Sequence, residues 1–457
     1  MKAIYQSLFA VLFIVSGFIL FETNGADAAE YRDPINVRLV PDDTFTLTPA
    51  GSYRLVNLGN GQSVSYSGPL QFRYANSSGQ VGVRDARSDS YIYSSRGFRL
   101  EERSPGSSSN DVTVNRVRAA GSSSYTQNTY RGTMEVTSPG SHRGLRLHNI
   151  LGIDDYLKGV VPREMSGGWP LEALKAQSVA ARNYAKSNMN SNDFLVDTTV
   201  HQVYVGKTGE HPNSNRAVDE TRGIYATHNG SLITAFYHSS SGGYTDDSEN
   251  VWLTTVPYIR AVEDPYDNNP GNSRHTWTTT MTRSDIGAHV FGNGWTVSNL
   301  EVNERSEAGR VQKLTVVGVN NNGQTRTKTF PERGGPDSIR SALGQSLNST
   351  KFDIRFPDQD AQVRLPGGGT TSIDLNGASM ALPNNEQINL HTNHLSVRTA
   401  NGSQTIQPSG GTITFEGGGW GHGLGMSQWG ALTMAQQGYS YEDILHHYYT
   451  NIRIERR

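Results

Sequence analysis

Apolar and polar residues alternate over short stretches in the first third of the chain. Clusters of glycine, serine, asparagine or proline separate these stretches, which is typical of strands joined by turns. The clearest predicted strands are Ile35–Val40, Tyr53–Leu55, Phe98–Glu101, Val112–Val117 and Thr133–Thr137. The pattern therefore predicts an all-β module over residues 29–140.

After one more predicted strand, Leu145–Ile150, the spacing of the apolar residues changes to that of a helix. A short helix is expected around Ile153–Lys158. Pro162 disfavours helix at the residue before it, so we expect a loop there that carries Glu164. The next helix is expected to begin at Pro170. Proline has no backbone N–H, and this costs nothing in the first helical turn, where N–H groups have no acceptor within the helix. Its small, close-packing face comprises Leu171, Leu174, Ser178, Ala181 and Ala185.

The rest of the chain mixes strands, turns and a few helices. Residues 141–275 are predicted to begin a mixed core, residues 276–410 to form an inserted β-rich subdomain, and residues 411–457 to complete the core. Further helices are expected near Ser284–Phe291, in "DSIRSALG", from about Met426 to Gln437, and after an N-cap at Ser440. The predicted fold class is therefore α+β, with an all-β module ahead of the mixed core.

Composition and charge exclude several classes of function. The 457 residues include no cysteine, which excludes disulfides, a catalytic thiolate and thiolate-bound zinc. The formal net charge of -2 gives no indication of nucleic-acid binding. Residues 1–28 have the form of a signal peptide, with the apolar run Leu8–Phe21 and the cleavage site Ala26-Asp27-Ala28. That run is shorter than the ~20 residues of a membrane span, so we expect no stable span after cleavage.

A glycine-rich motif, "GGGWGHGLGMSQWGA", covers residues 417–431. Its glycines permit positive φ and close backbone approach. Because the motif leads into a helix, we expect several N–H groups to converge on a sugar hydroxyl, an acetamido oxygen or a carboxylate. A phosphate loop is not expected, since the Lys-Ser/Thr pair is missing.

Several stretches together resemble the stage II sporulation protein D / LytB (amidase enhancer) family. They follow the family's order over roughly residues 140–457, and the first and last are long and specific. The stretches are "YLKGVVPREMSGGWPLEALKAQSVAARNYA", "HQVYVG", "YHSSSGGYTDDSENVW", "RSEAGRVQKLTV", "IRSALGQSLNSTKF" and "GGWGHGLGMSQWGALTMAQQGYSYEDILHHYYTNI".

This resemblance implies a protein that acts on bacterial peptidoglycan. The family's sporulation branch comprises lytic transglycosylases, and its catalytic glutamate occupies the position of Glu164 here. The other branch is described as enhancing a cell-wall amidase. The absence of cysteine and the cleavable leader depart from the sporulation branch. The cleavable leader and the extra β module lean toward the LytB side.

A lytic transglycosylase can operate with one carboxylate, whereas hydrolysis normally uses two. One acid protonates the glycosidic oxygen, and the resulting carboxylate then takes the proton of the sugar's own C6 hydroxyl. Met165 and Trp169 are expected to raise the pKa of Glu164 by supplying apolar surroundings. The alternative is that Glu164 is a solvated loop acid or caps a helix end.

Six further residues are candidates for substrate binding, and each has a structural alternative. They are Lys175, Arg182, Tyr237, Trp420, His422 and Gln428. A tryptophan can stack on a sugar ring or anchor a core, and a histidine among glycines can act as an acid/base or be structural. His201 and His238 were the one metal pair to consider, but they lack a recognised spacing, so no metal and no cofactor is predicted.

Three functions remain open from the sequence. The first is a secreted lytic transglycosylase, and the second is a non-catalytic enhancer that binds glycan or an N-acetylmuramoyl-L-alanine amidase. The third is a plain wall-binding module. All three place the protein outside the cytoplasm, secreted or in the cell wall, with peptidoglycan glycan strands as its partner.

Overall fold

The computed structural model describes residues 30–75, 78–118, 124–139, 144–344, 347–356 and 411–457, together with six short strands between 360 and 406. Helices and strands occur together in several sheets, which confirms the α+β class. The chain divides into two compact units. Unit 1 comprises residues 1–234 and 454–457, and unit 2 comprises residues 235–453. The predicted signal peptide lies outside the described residues, and the predicted module and insertion boundaries stay predictions.

Unit 1 begins with two antiparallel layers. Their strands are β1 (Pro34–Arg38), β2 (Thr44–Ala50), β3 (Tyr53–Asn57), β4 (Ser63–Tyr66), β5 (Leu70–Ala75), β6 (Gln80–Asp85), β7 (Ile92–Ser94), β8 (Phe98–Glu102), β9 (Asp111–Arg118), β10 (Tyr125–Tyr130), β11 (Thr133–Thr137) and β12 (Arg146–Gly152). One sheet has the order β10-β9-β2-β5-β6-β7, and the other contains β1-β12-β11-β8-β3-β4. Phe72 and Phe98 pack 6.4 Å apart between the sheets, so the alternating apolar positions form a sandwich core.

The second part of unit 1 is mostly helical. Its elements are α1 (Ile153–Glu164), α2 (Leu171–Ser191), β13 (Leu195–Val196), a 3-10 helix (Gly206–Gly209), α3 (Pro212–Glu220), β14 (Ile224–His228) and β15 (Ser231–Leu232). β13 extends the seven-stranded sheet by pairing in parallel with β1. The prediction of a loop at Val161 was wrong, because α1 continues through Pro162 to Glu164.

The cause of that error is tertiary packing. Ile153, Tyr156, Leu157, Val160 and Val161 are all buried along one side of α1. Their burial outweighs the local bias against helix before proline, since Pro162 lies in the last turn and removes only one hydrogen bond there. The next helix begins one residue later than predicted, with Pro170 as its N-cap.

Unit 2 alternates small sheets with short helices. Its elements before the glycine-rich motif are β16 (Tyr237–His238), α4 (Glu249–Trp252), a 3-10 helix (Pro265–Asp267), β17 (Thr276–Thr282), α5 (Arg283–Phe291), β18 (Trp295–Arg305), β19 (Val311–Asn320), β20 (Thr325–Phe330), a 3-10 helix (Pro336–Ser341), β21 (Phe352–Arg355), β22 (Asp360–Arg364), β23 (Thr370–Asp374), β24 (Ser379–Ala381), β25 (Gln387–Asn389), β26 (Leu395–Thr399) and β27 (Gly402–Ile406). The sheets β17-β28-β21 and β18-β19-β20 share one apolar core with α5, where β28 is Thr412–Gly418.

The last elements of the chain complete unit 2 and add one strand to unit 1. The remaining elements are β29 (Met426–Ser427), α6 (Gln428–Gln436), α7 (Tyr441–Tyr448) and β30 (Arg453–Arg456). Met426 and Ser427 therefore form a strand rather than the predicted start of a helix, and β29 pairs in parallel with β16. The capping box predicted at Ser440 is confirmed, with Asp443 as its partner. β30 returns to unit 1, where it joins the sheet β15-β14-β30.

Candidate functional site

Glu164 is the last residue of α1, and its side chain is half-buried. The helix ends because Met165 adopts an extended conformation, while its N–H still bonds the carbonyl of Val161. Met165 is buried and Trp169 half-buried, so both apolar neighbours expected from the sequence adjoin the acid along the chain. Glu164 is thus held at the end of a buried helix.

Two tyrosines that the sequence analysis missed lie close to Glu164. Burial first, and then the charge of Glu164, raise the pKa of Tyr156 and of Tyr184. Tyr156 is fully buried and donates to Oε1 of Gln202 at 3.1 Å, which links α1 to the "HQVYVG" stretch. Both phenols stay protonated at neutral pH, within the range of the charge of Glu164. The tyrosine in "ARNYA", roughly three and a half turns along α2, was the available sequence indication.

Lys175 and Arg182, predicted to bind substrate, are both engaged within unit 1. The Lys175 ammonium lies 2.9 Å from Glu172 and 2.8 Å from Glu220. Arg182 has no exposed side-chain surface and lies 3.0 Å from Asp154, with further donations to the carbonyls of Val218 and Ile224. These contacts account for Arg182 as a structural cation, and substrate binding by either residue stays a prediction.

The glycine-rich motif lies in unit 2 and has the backbone that its sequence predicts. Gly419, Gly421, Gly423 and Gly425 all have positive φ, between 65° and 110°. Gly423 lies directly against the buried guanidinium of Arg310, so that a Cβ atom there would be 2.2 Å from Cζ. The predicted need for close backbone approach is confirmed at this glycine.

The prediction that the motif presents free N–H groups was wrong for most of its length. The N–H groups of Gly418, Gly419, Trp420, Gly421 and Met426 all donate to backbone carbonyls of unit 2. At the start of α6, the Ser427 hydroxyl accepts from Gly430, and the N–H of Trp429 donates to the carbonyl of Ser239. These N–H groups already have acceptors, because the motif lies between neighbouring segments of unit 2 and does not line an open turn.

The four candidate residues of unit 2 lie within the motif or on the strand that pairs with it. Tyr237 pairs with Met426, and the backbone of Trp420 bridges that of Ser240. The Trp420 ring is 39% exposed and lies beneath the guanidinium of Arg274 at 4.4 Å. Gln428 is buried as the first residue of α6. Trp420 is therefore the most exposed member of this group, and the guanidinium of Arg274 lies over its ring.

His422 is held as a neutral imidazole. Its Nδ1 accepts from the N–H of Leu424 at 3.0 Å, and its ring lies 5.0 Å from Trp252 and 5.6 Å from His238. Burial lowers the pKa of His422 to about 4 and lowers that of His238 well below its usual value. At neutral pH these rings are uncharged, which favours the structural alternative for His422 over a proton donor.

An open pocket of about 650 Å³ adjoins the start of the motif in unit 2. Gly417 and Gly418 form part of its wall, together with Trp277, Lys351 and Arg305. A Cβ atom at Gly417 would be 2.3 Å from the Trp277 ring, so this glycine lets the indole lie flat against the strand. Asp353 and Glu416 also line the pocket, and Asp353 pairs with Arg305 at 2.7 Å, so the solvent-facing side of the motif has aromatic groups and charges of both signs.

Two buried carboxylates, also missed from the sequence, fasten the segments around the motif. Asp267 accepts from the hydroxyls of Ser240 and Ser427 at 2.8 and 2.9 Å, and it pairs with His275 at 2.8 Å. Asp264 accepts from Ser241 at 2.8 Å and from Tyr448 at 2.9 Å. Ser240 and Ser241 of "YHSSSGG" are thus structural donors. The sequence indication for these two carboxylates was a pair of aspartates on either side of Pro-Tyr, ahead of an asparagine-rich loop.

Asp264 gives the protein a pH-dependent stability. Burial, followed by the charge of Asp267, raises the pKa of Asp264 to about 7, well above the usual value of an aspartate. The folded state therefore holds a proton that the unfolded state releases, and stability falls as pH rises from about 4 to 7. We expect the free energy of unfolding of the wild type, relative to Asp264→Asn, to fall by about 2–3 kcal/mol between pH 5 and 7.5.

Urea unfolding of both proteins across this pH range measures that difference. The buried histidines act in the opposite direction, since their pKa values are lowered, but they are present in both proteins and cancel. Parallel stability curves for the two proteins would contradict the raised pKa of Asp264.

Metal binding was tested against the side chains that the structure describes. Among them, no three His, Cys, Asp or Glu residues converge in a way that could hold a metal ion. His201 instead accepts a hydrogen bond from the N–H of Val196. The absence of a metal and of other cofactors stays a prediction from the sequence.

Comparison with known proteins identifies the family. Residues 141–228 match the family described as stage II sporulation protein, SpoIID. The chain is 32% identical over 316 residues to an uncharacterized protein of Brachyspira hyodysenteriae, with 67% of each chain covered. It is 33% identical over 306 residues to the amidase enhancer of Bacillus subtilis, covering 64% of this chain and 39% of that protein. The chain belongs to the SpoIID/LytB family. The resemblance inferred from the motifs is confirmed.

Another SpoIID/LytB relative is stage II sporulation protein D of Bacillus subtilis, which is 27% identical over 321 residues, with 66% of this chain and 74% of that protein covered. The chain spans about two fifths of the length of the amidase enhancer. Glu164, Lys175 and Arg182 lie inside the segment that matches the SpoIID family, and Tyr237, Trp420, His422 and Gln428 lie beyond it. No helix in the described part of the chain is long and apolar enough to cross a membrane.

Proposed function

We propose that this SpoIID/LytB protein is exported, acts on the bacterial cell wall, and cleaves peptidoglycan glycan strands as a lytic transglycosylase. The names of its relatives support a sporulation- or cell-wall-related function. The observation that carries the finer proposal is Glu164, an acid held at the end of a buried helix inside the family-matching segment, with two protonated tyrosines close to it.

In the proposed reaction, Glu164 gives its proton to the glycosidic oxygen as the bond from that oxygen to C1 breaks. The C6 hydroxyl of the same muramyl residue then bonds to C1, and its proton returns to the Glu164 carboxylate. The product is a 1,6-anhydro sugar, and no water is consumed. This balance explains why a second carboxylate for activating water is not required.

A second candidate function is enhancement of a cell-wall amidase without cleavage. The observation that favours it is the 33% identity to the amidase enhancer of Bacillus subtilis. In that case the family-matching segment binds glycan or an N-acetylmuramoyl-L-alanine amidase, and Glu164 serves only to position other groups.

The experiment that tests the proposal is mass spectrometry of soluble products released by the wild-type protein. Purified peptidoglycan and glycan strands stripped of stem peptides by an amidase serve as the two substrates. Anhydromuramyl ends are the expected result. No such ends on either substrate, combined with faster release of stem peptides by an added amidase, would overturn cleavage and support the enhancer.

A further inference from the structure

The outer face of the six-stranded sheet in unit 1 is polar, and its outward residues are exposed or half-exposed with respect to the described part of the chain, apart from Gly82. On β2, Phe45 and Leu47 are buried, whereas the alternating threonines are half-exposed. Strand register places outward residues of the other strands beside these threonines. The outward set comprises Thr44, Thr46, Thr48, Gln71, Arg73, Gly82, Arg84, Tyr93, Thr113, Asn115, Tyr125 and Thr129. We name this surface the β2 outer face.

One edge of the β2 outer face carries a stack of arginine on tyrosine. The guanidinium of Arg73 lies 3.7 Å from the centre of the Tyr91 ring and also donates to the hydroxyl of Tyr93. Both rings lie over Gly82, where a Cβ atom would be 2.8 Å from the Tyr93 ring. The glycine makes room for flat rings, and the rings in turn hold the guanidinium in place.

The opposite edge repeats the arrangement. The Arg116 guanidinium lies 4.4 Å from the centre of the Tyr125 ring, which is 41% exposed. Arg73 lies on β5 and Arg116 on β9, and the backbones of these strands are two strand spacings apart, about 10 Å at ~4.8 Å per strand. The two stacks thus lie on either side of β2, whose threonine side chains are between them.

The charge of these two arginines is not compensated. Among the described residues, neither Arg73 nor Arg116 forms an ion pair with a carboxylate. Asp89 and Asp111, at the margins of the sheet, pair instead with Arg84 and Lys207. Both exposed guanidinium groups are therefore held by tyrosines while keeping a full positive charge, which suits them to bind carboxylates.

We infer that the β2 outer face is a second glycan-binding surface, separate from Glu164, which binds a carboxylate-bearing peptidoglycan strand laid across the sheet. The two arginines, one on each side of β2, bind carboxylates of the strand, and the threonine, asparagine and glutamine side chains of the face bind sugar hydroxyls. The choice of peptidoglycan as the ligand rests on the proposed function, whereas the surface and its charge do not.

The test is sedimentation of the full chain with purified peptidoglycan sacculi from which teichoic acids have been removed. Arg73→Gln combined with Arg116→Gln is expected to weaken binding by about tenfold or more. The matched control is Arg103→Gln combined with Arg146→Gln, which removes two exposed arginines from the other sheet and is expected to bind as the wild type does. Thermal melting confirms that both variants are folded.

Sacculi whose carboxyl groups have been methyl-esterified provide the second arm. The wild type and the Arg73/Arg116 variant are expected to bind these sacculi equally, because the groups that the arginines recognise are gone. Equal binding of wild type and variant to untreated sacculi would overturn the inference, as would an undiminished difference on esterified sacculi. Product analysis is independent of this assay, so failure to cleave would remove the proposed activity without removing the binding surface.

Discussion

Replacing Glu164 by glutamine is expected to lower the rate of anhydromuramyl product formation by about 10²–10⁴-fold, the usual contribution of a general acid/base. Glutamine has the same shape but no transferable acidic proton. Glu164 lies at the end of α1 and is half-buried, so its loss of charge should leave the fold intact. The measurement is mass spectrometry of products over time, with wild type and variant at equal concentration.

The matched control is Glu135→Gln, which alters a partly buried glutamate of the same unit that pairs with Arg99 at 2.7 Å. It should cleave at the wild-type rate. Wild-type cleavage by Glu164→Gln would show that the proton comes from another group. If both proteins stimulate an added amidase equally and neither cleaves, Glu164 has only a positioning role.

Replacing Arg182 by methionine is expected to destabilise unit 1 by about 3 kcal/mol or more, because it leaves a buried network without its cation. Arg182 is fully buried, and its contacts join Asp154 of α1 to the carbonyl of Val218 in α3 and to that of Ile224, which follows α3. Burial lowers the pKa of its guanidinium, yet the group remains charged at neutral pH. A thermal shift of about 6–12 °C corresponds to this loss for a unit of this size.

Arg216→Met provides the comparison for that experiment. Arg216 is exposed on α3 and pairs with Glu220 one turn away, a kind of ion pair that contributes under about 0.5 kcal/mol. Calorimetry of both variants separates the two cases. A loss at Arg182 no greater than that at Arg216 would mean that water replaces the buried guanidinium at little cost.

The sequence was informative where local pattern and chemistry agree. The strand Thr133–Thr137, the cap at Ser440 and the positive-φ glycines of the 417–425 loop were all expected from residue type and spacing. These features depend on alternation, on a side chain bonding its own backbone, and on the absence of a Cβ atom. Each is decided within a few residues of the chain.

The errors arose where distant parts of the chain decide the outcome. Pro162 stays helical because one side of α1 is buried. The N–H groups of the glycine-rich motif donate to carbonyls of segments that are far away in sequence. Asp264, Asp267 and the tyrosines beside Glu164 gain their properties from burial. Burial and partner choice are tertiary properties, so composition and period do not reveal them.

The last strand has a consequence for how the protein is made. β30 completes the β15-β14-β30 sheet of unit 1, and the backbone N–H of Arg457 bonds the carbonyl of Gly223 at 2.8 Å. Unit 1 therefore needs β30, which is synthesised after unit 2, before this sheet can close. While β30 is unpaired, β14 has a free strand edge that can pair with another chain.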